Sequence, residues 1–202
     1  MRFIDSHNTN PEYNLAFEKS LCNSSLLTPD SSPIFMLWRN EPSVIVGRFG
    51  NVGDEVNLEF AASHNIRVVR RCSGGGAVYH DLGNVNYSFI TKDGKFFTLE
   101  YFSNIIMESL SAIGLNAALS FSHNDIKANG LKVSGAAQYH HDGTMIHHGT
   151  LLFDSELAII PKVLKRAGRV ANIRPLLKHD MTVNEFIDAI RREIIFNDRF
   201  SR

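Results

Sequence analysis

Residues 124–138 read NDIKANGLKVSGAAQ. Asn129-Gly130 at the centre is the strongest hairpin signal in the chain, because both residue types tolerate the positive φ angles of a two-residue type I′ turn. It joins Asp125-Ile126-Lys127 to Leu131-Lys132-Val133, and strands joined this tightly pair antiparallel. Outward from this turn, short runs rich in β-branched and aromatic residues read as strands at Phe35–Arg39, Ser43–Arg48, Arg67–Arg71, Ala77–His80, Val85–Ile90 and Met145–Phe153. Helical spacing is found at about residues 11–26, 99–113 and 157–166. A last helix follows the capping box of Thr182 and Glu185 and carries Phe186, Ile187, Ile190 and Ile194. Strands linked by tight turns instead of helical crossovers predict an α+β fold, with a mixed or antiparallel sheet flanked by helices.

The 202 residues, 44% hydrophobic and 21% charged, suit one domain with its own core, and no repeat or linker divides 1–202. No apolar run approaches the ~20 residues of a membrane span, so no membrane partner is expected. Lys+Arg and Asp+Glu both number 21, which leaves no global basic field for nucleic acid. Cys22 and Cys72 match neither a disulfide framework nor a zinc spacing, and the N-terminus lacks an apolar signal core. The expected compartment is the cytoplasm, or an organellar matrix if a transit peptide has been removed. Charge is uneven locally. Lys162, Lys165, Arg166, Arg169, Arg174 and Lys178 lie in a stretch with no acid, either a patch for an anion or acidic partner or a solvated helix end.

Three segments carry candidate chemistry. Arg70-Arg71-Cys72-Ser73-Gly74-Gly75-Gly76-Ala77-Val78-Tyr79-His80 places three glycines between strands. Gly74, Gly75 and Gly76 cost backbone entropy, so a ligand approaching the backbone closely is one reading and a glycine-rich bulge the other. Consecutive N–H groups beside arginine forks suit phosphate or carboxylate, although the run matches neither common nucleotide-binding glycine motif. In the second segment Lys132 stands in a weakly polar strand between Gly130 and Gly135. It either snorkels to solvent or meets an anion in a cleft, and Asp125 is a turn residue, a lysine partner or a Mg²⁺ ligand. In the third, His147 and His148 alternate across a strand, one toward the interior or a pocket and one toward solvent, which disfavours a shared metal.

RRCSGGGAVYHDLGN at 70–84, NDI with NGLKVSGAAQ at 124–138, and HHGTLLFD at 147–154 together resemble the signature segments of lipoate-protein ligases. FMLWRNEPSVIVGRFGN at 35–51 and PEYNLAFE at 11–18 fit the same family. The resemblance implies a biotin/lipoate-ligase-like catalytic domain that joins lipoate to ATP with Mg²⁺, forms lipoyl-AMP, and passes the acyl group to a carrier lysine. Lys132 matches the essential lysine. Arg70, Ser73, Gly74, Gly75, Gly76, Val78, His80, Asn84, Asn124, Asp125, Gly135, Ala137, His148, Gly149 and Thr150 match binding positions, with Leu15, Trp38, Val78 and Val133 as apolar wall. The implied carriers are lipoyl domains of 2-oxoacid dehydrogenase E2 subunits and the glycine-cleavage H protein, docking on the Lys162–Lys178 patch.

Three features depart from the family. Ser122-His123 stand where relatives carry Gly-Arg, the stretch after Leu157 is short, and no C-terminal accessory domain follows, which points to a separate accessory ligase subunit or to a fragment. The alternatives are a lipoyl or octanoyl transferase working from preformed lipoyl-AMP or through a cysteine thioester, a biotin ligase lacking its Gly-Arg-Gly-Arg loop, and a silent binding protein.

Overall fold

In the computed structural model, which describes residues 1–24, 27–28, 32–92 and 98–196, Asn129 and Gly130 take φ values of 50° and 80°, as a type I′ turn demands. The strands run β1 (Arg2–Ser6), β2 (Ile34–Trp38), β3 (Ser43–Val46), β4 (Arg67–Arg70), β5 (Val78–His80), β6 (Asn84–Lys92), β7 (Leu119–Ser122), β8 (Asp125–Ala128), β9 (Leu131–His141) and β10 (Thr144–Leu152). The helices are α1 (Pro11–Ser20), α2 (Val52–Glu55), α3 (Leu58–Ser63), α4 (Leu99–Ala112), α5 (Ile160–Val163) and α6 (Val183–Phe196).

Seven strands form one sheet in the order β1-β2-β6-β10-β9-β8-β7, and β4-β3-β5 form a second. Neighbours are antiparallel except for β1 with β2 and β3 with β4. Each parallel pair is bridged by helix, α1 in the first case and α2 with α3 in the second, because parallel neighbours need a crossover. The architecture is therefore α+β with a mixed sheet.

β6 and β10 lie inside the large sheet and are covered on both faces. On one face Tyr87, Phe89 and Leu151 pack against Phe102 of α4 and Phe186 and Ile190 of α6. The Phe153 and Phe186 rings stack at 4.4 Å, those of Phe89 and Phe102 at 4.7 Å, and each such side chain contributes roughly 1.5–3 kcal/mol by burial. On the other face Ile34, Met36, Trp38, Ile90 and Ile146 meet Leu15 of α1 and Ile45 of β3. Val44 and Val46 alternate to the far side of β3, over Ala61, Ile160 and Val163. The two sheets thus share a core through Ile45, and the site opens between them.

α6 buries Phe186, Ile190 and Ile194 at four-residue spacing. Its start forms the expected capping box, Thr182 N–H donating to Glu185 Oε2 at 2.7 Å and Glu185 N–H to Thr182 Oγ1 at 3.3 Å. The helix expected over 11–26 ends as α-helix at Ser20 and tightens to a 3₁₀ turn through Asn23; residues 25–26 lie outside the described ones. The helix expected over 157–166 shrinks to the single turn Ile160–Val163, since Pro161 fits only a first turn.

The β8–β9 ladder holds an irregularity that sequence spacing does not foretell. Asp125 pairs with Gly135 and Ile126 with Ser134, but Lys127 pairs with Lys132, so Val133 is an extra residue. This bulge shifts the alternation and brings Lys132, Gly135 and Asp125 to one face. Val133 goes to the core instead, fully buried, which corrects its assignment to the acyl wall.

Candidate active site

A cavity of about 640 Å³ opens between the sheets, lined by Leu15, Trp38, Ile45, the glycine segment, Asn86, the start of β8, β9 and β10. Its size lies within the roughly 300–1,000 Å³ of small-molecule sites. Leu15, Trp38, Ile45 and Val78 provide apolar wall, and Arg71, Lys132 and Arg166 provide cations. Asp125 is the one carboxylate lining it among the described residues. An anion with an apolar tail suits this lining.

The buried Arg71 organises the glycine wall. Its Nη2 donates to the carbonyls of Gly74 and Gly76 at 2.6 and 2.9 Å, Nη1 to Ile45 O at 2.9 Å and Nε to Ser73 Oγ at 3.0 Å. Burial holds its pKa below the ordinary arginine value, with Glu55 nearby opposing the shift. With their carbonyls drawn to Arg71 or into chain packing, the N–H groups of Gly74, Gly75 and Gly76 make no hydrogen bond among the described residues, which leaves an anion-binding nest. Gly75 has φ +89°, a backbone that a Cβ would strain. Glu55 fixes the exit of the loop by accepting from Ala77 N–H.

Behind this loop runs a buried polar chain. Ser73 Oγ lies 2.6 Å from His148 Nε2, and His148 Nδ1–H donates to the Glu18 carboxylate at 2.9 and 3.0 Å. Ser88 Oγ also donates to Glu18 and accepts from Trp38 Nε1 at 3.1 Å. Sequence reading passed over Glu18, because a lone acid on an amphipathic helix reads as solvated; the buried His148 is what requires it.

On the opposite wall Lys132 Nζ is 2.8 Å from Asp125 Oδ1. A Cβ on Gly135 would sit 2.8 Å from that nitrogen, so the glycine makes room for the ammonium group. The Lys132 backbone pairs with the segment after α5, Lys132 N–H donating to Arg169 O and Ala171 N–H to Lys132 O, and Arg166 of that segment reaches the cavity. At the rim His123 and Asn124 both hold positive φ, 51° and 66°, in the turn between β7 and β8.

The structure gathers most of the expected residues. Gly74, Gly75, Gly76, Val78, His80, Asn124, Asp125, Lys132, Gly135, Ala137, His148, Gly149 and Thr150 all line the cavity, as do Leu15 and Trp38. Besides the core residue Val133, three do not line it. Arg70 turns away and donates to the carbonyls of Gly47, Arg48 and Gly50, leaving Arg71 as the arginine of the glycine-loop wall. Ser73 sits behind the loop, and Asn84 is buried against Asn86, its Nδ2 donating to Asn86 Oδ1.

Both members of the histidine pair are buried, contrary to the expected solvent-facing partner, because β10 is covered on each face. His147 stacks on Phe102 at 4.8 Å; burial, then the neighbouring His148, lowers its pKa to about 3. His80 falls to about 3 through burial, Arg71 and His148 in that order. It is thus a neutral hydrogen-bonding group and not a phosphate-binding cation. Asn14 Nδ2 donates to Asn40 Oδ1, so Asn40 Nδ2 donates to His80 Nδ1 at 3.1 Å. The His80 proton then lies on Nε2, which is buried without a partner among the described residues.

Burial pushes the Cys22 thiol up to about 11 and Cys72 to about 12, and neither lines the cavity. No cluster of three His, Cys, Asp or Glu that could hold a metal occurs among the described residues, and none of their helices is long and apolar enough to cross a membrane. The basic stretch from Lys162 to Lys178 does not form one free patch. Lys165 Nζ donates to Gly53 O, Arg174 binds Asp154 and Asp180, and Arg166 joins the cavity.

This arrangement of a glycine loop whose N–H groups are free among the described residues, an opposed lysine and an apolar end defines a small-molecule site of the kind that takes an anion with an apolar tail. The family model of the lipoyl protein ligase A/B catalytic domain matches residues 10–195, and the chain belongs to that family. It is 40% identical over 210 residues to lipoate-protein ligase LplJ of Bacillus subtilis, covering 96% of this chain and 62% of that protein. Among solved structures, LipL1 of P. falciparum in complex with lipoate superposes with a TM-score of 0.85 at 31% identity, covering 96% of this chain and 61% of the other. A lipoate-protein ligase A bound with ATP gives 0.84 at 28% identity, covering 95% and 83%.

Proposed function

We propose that the chain is the catalytic unit of a lipoate-protein ligase. The observation that carries this reading is Lys132, held by Asp125 across one cavity from a glycine loop whose N–H groups have no partner among the described residues. A relative that binds lipoate and one that binds ATP, both with this fold, support the two substrates.

In the first half-reaction an oxygen of the lipoate carboxylate attacks the α-phosphorus of ATP, and the bond to the β-phosphate breaks to release pyrophosphate. The glycine N–H groups and Arg71 receive phosphate charge. Lys132 stabilises the charge shared by the carboxylate and α-phosphate, exchanging Asp125 for the substrate. In the second half-reaction the neutral amine of a carrier lysine attacks the acyl carbon, the bond to the phosphate oxygen breaks to release AMP, the amine proton passes to water, and Lys132 again meets the developing negative charge. Mg²⁺ would enter with ATP, since such ions usually take one or two carboxylates plus substrate phosphates. Asp125 is the cavity carboxylate suited to it, and the ion would screen the transferred phosphate. The acceptor would be a lipoyl domain of a 2-oxoacid dehydrogenase E2 subunit or a glycine-cleavage H protein, in the cytoplasm. The raised thiol pKa values of Cys22 and Cys72 weigh against a thioester route, because the thiolate is the nucleophile.

Lipoate-dependent exchange of labelled pyrophosphate into ATP, with Mg²⁺ and no carrier, tests the reading. Exchange supports activation by this chain. Absent exchange, transfer from supplied lipoyl-AMP to a carrier would restrict the chain to the second half-reaction, with an accessory subunit needed for the first. Silence in both assays would discard the ligase reading.

A further inference from the structure

Phe49 is 84% exposed, the most exposed of the large hydrophobic residues described, yet its segment is tightly held. Arg48 N–H donates to Ser73 O at 2.7 Å, and Arg70 Nη1 donates to the carbonyls of Gly47, Arg48 and Gly50. The Arg48 guanidinium stands 5.3 Å from the Phe49 ring centre and 5.9 Å from that of Tyr139. A fixed aromatic side chain facing water, next to the glycine loop, leaves apolar area that nothing in the described chain covers.

Beside it opens a second cleft of about 410 Å³, lined by Lys19, Arg48 and Arg70. Its one acid, Glu12, is bound by Arg67 at 3.0 Å. Leu15 and Arg71 line both this cleft and the larger cavity, so the two adjoin. We propose that Phe49 and this basic cleft form the dock for the acyl acceptor, a protein that presents carboxylates and an apolar side chain beside its target lysine. The inference rests on the ligase reading and names the partner surface of the same site. Charge complementarity selects an acidic occupant, and adjacency to the cavity selects one whose lysine must enter it. The Lys162–Lys178 stretch is less suited, since Arg174 is already neutralised by Asp154 and Asp180 and Arg166 faces the cavity.

Titrating a fluorophore-labelled apo lipoyl domain of a 2-oxoacid dehydrogenase E2 subunit into wild type, R48E and F49D tests the dock without catalysis. The expected result is wild-type binding that weakens with salt and a loss of affinity of tenfold or more in each variant. Lack of binding to wild type, unchanged affinity in the variants, or loss only on charge reversal at Lys162 and Lys178 would overturn it. Pyrophosphate exchange on the same three proteins keeps the two readings apart. It is expected to be equal in all three, whereas its absence in wild type would count against activation and leave the binding comparison standing.

Discussion

On the glycine-loop wall Arg71 makes four hydrogen bonds and Glu18 is fully buried between His148 and Ser88. On the β8–β9 wall Lys132 has one carboxylate partner, and the two side chains remain 29% and 25% exposed. The difference separates scaffold from actor. A loop that must present N–H groups in one arrangement is best fixed before the substrate arrives, so that no reorganisation is needed during the reaction. On the proposed reading this lysine leaves its carboxylate for a phosphate and so cannot be held as firmly, and partial exposure weakens its resting pair. The cost of the fixed wall is buried charge, tolerated because each group has partners.

The largest expected effect comes from breaking the actor. Lys132→Ala should lower both pyrophosphate exchange and transfer from lipoyl-AMP by about a thousandfold or more, or roughly 4 kcal/mol of transition-state stabilisation, with little change in melting temperature. Steady-state assays of each half-reaction would check this, and unchanged turnover would remove Lys132 from the mechanism. Breaking the scaffold should invert the pattern. Glu18→Ala strands His148 Nδ1–H and Ser88 O–H in the core and should cost about 3 kcal/mol of stability in denaturant titrations, while Glu18→Gln, which keeps an acceptor, should lose less.

Acid should also act on the covered face. His80 and His147 bind protons in the unfolded chain below about pH 6.5 but in the native protein only near pH 3. Their neutral native forms therefore contribute stability above pH 6.5 that is lost as pH falls toward 3. Between pH 7 and 5 the loss is about 2 kcal/mol per histidine. His147→Phe should flatten the melting profile by about that amount, and an undiminished pH slope would exclude His147 as its source. The smallest effect belongs to the lysine's partner. Asp125→Asn should change stability by about 1 kcal/mol or less, and a larger loss in thermal melts would show the Lys132 wall to be scaffold as well.

Much of the site was legible in sequence because its residues lie close together along the chain. Three adjacent glycines, one lysine in an apolar strand and an Asn-Gly turn each signal a local backbone requirement, and all three appear where those requirements predict. Arg70 and Arg71 could not be told apart by type. The choice falls to Arg71 because its guanidinium reaches Ile45 O on the neighbouring strand and the loop carbonyls, while Arg70 is taken up by the turn after β3. α2 and α3 were not foreseen because four and six residues are too short for helical periodicity to register, and β1 and β7, RFIDS and LSFS, lack the unbroken β-branched and aromatic run that marks a strand. Glu18 was invisible for a different reason. Its partners Ser88 and His148 are 70 and 130 residues away.

By itself the sequence determined the hairpin at Asn129-Gly130, the helices with clear apolar stripes, the glycine loop and the place of Lys132 in the strand after the turn, all set by local backbone and side-chain preferences. Tertiary structure decided which face those groups share. The extra residue at Val133 turns Lys132 toward Gly135 and Asp125, and coverage of β10 on both sides buries His147 with His148. Strand alternation repeats every two residues, so one bulge or one covering layer, neither specified by the local pattern, reassigns every side chain beyond it.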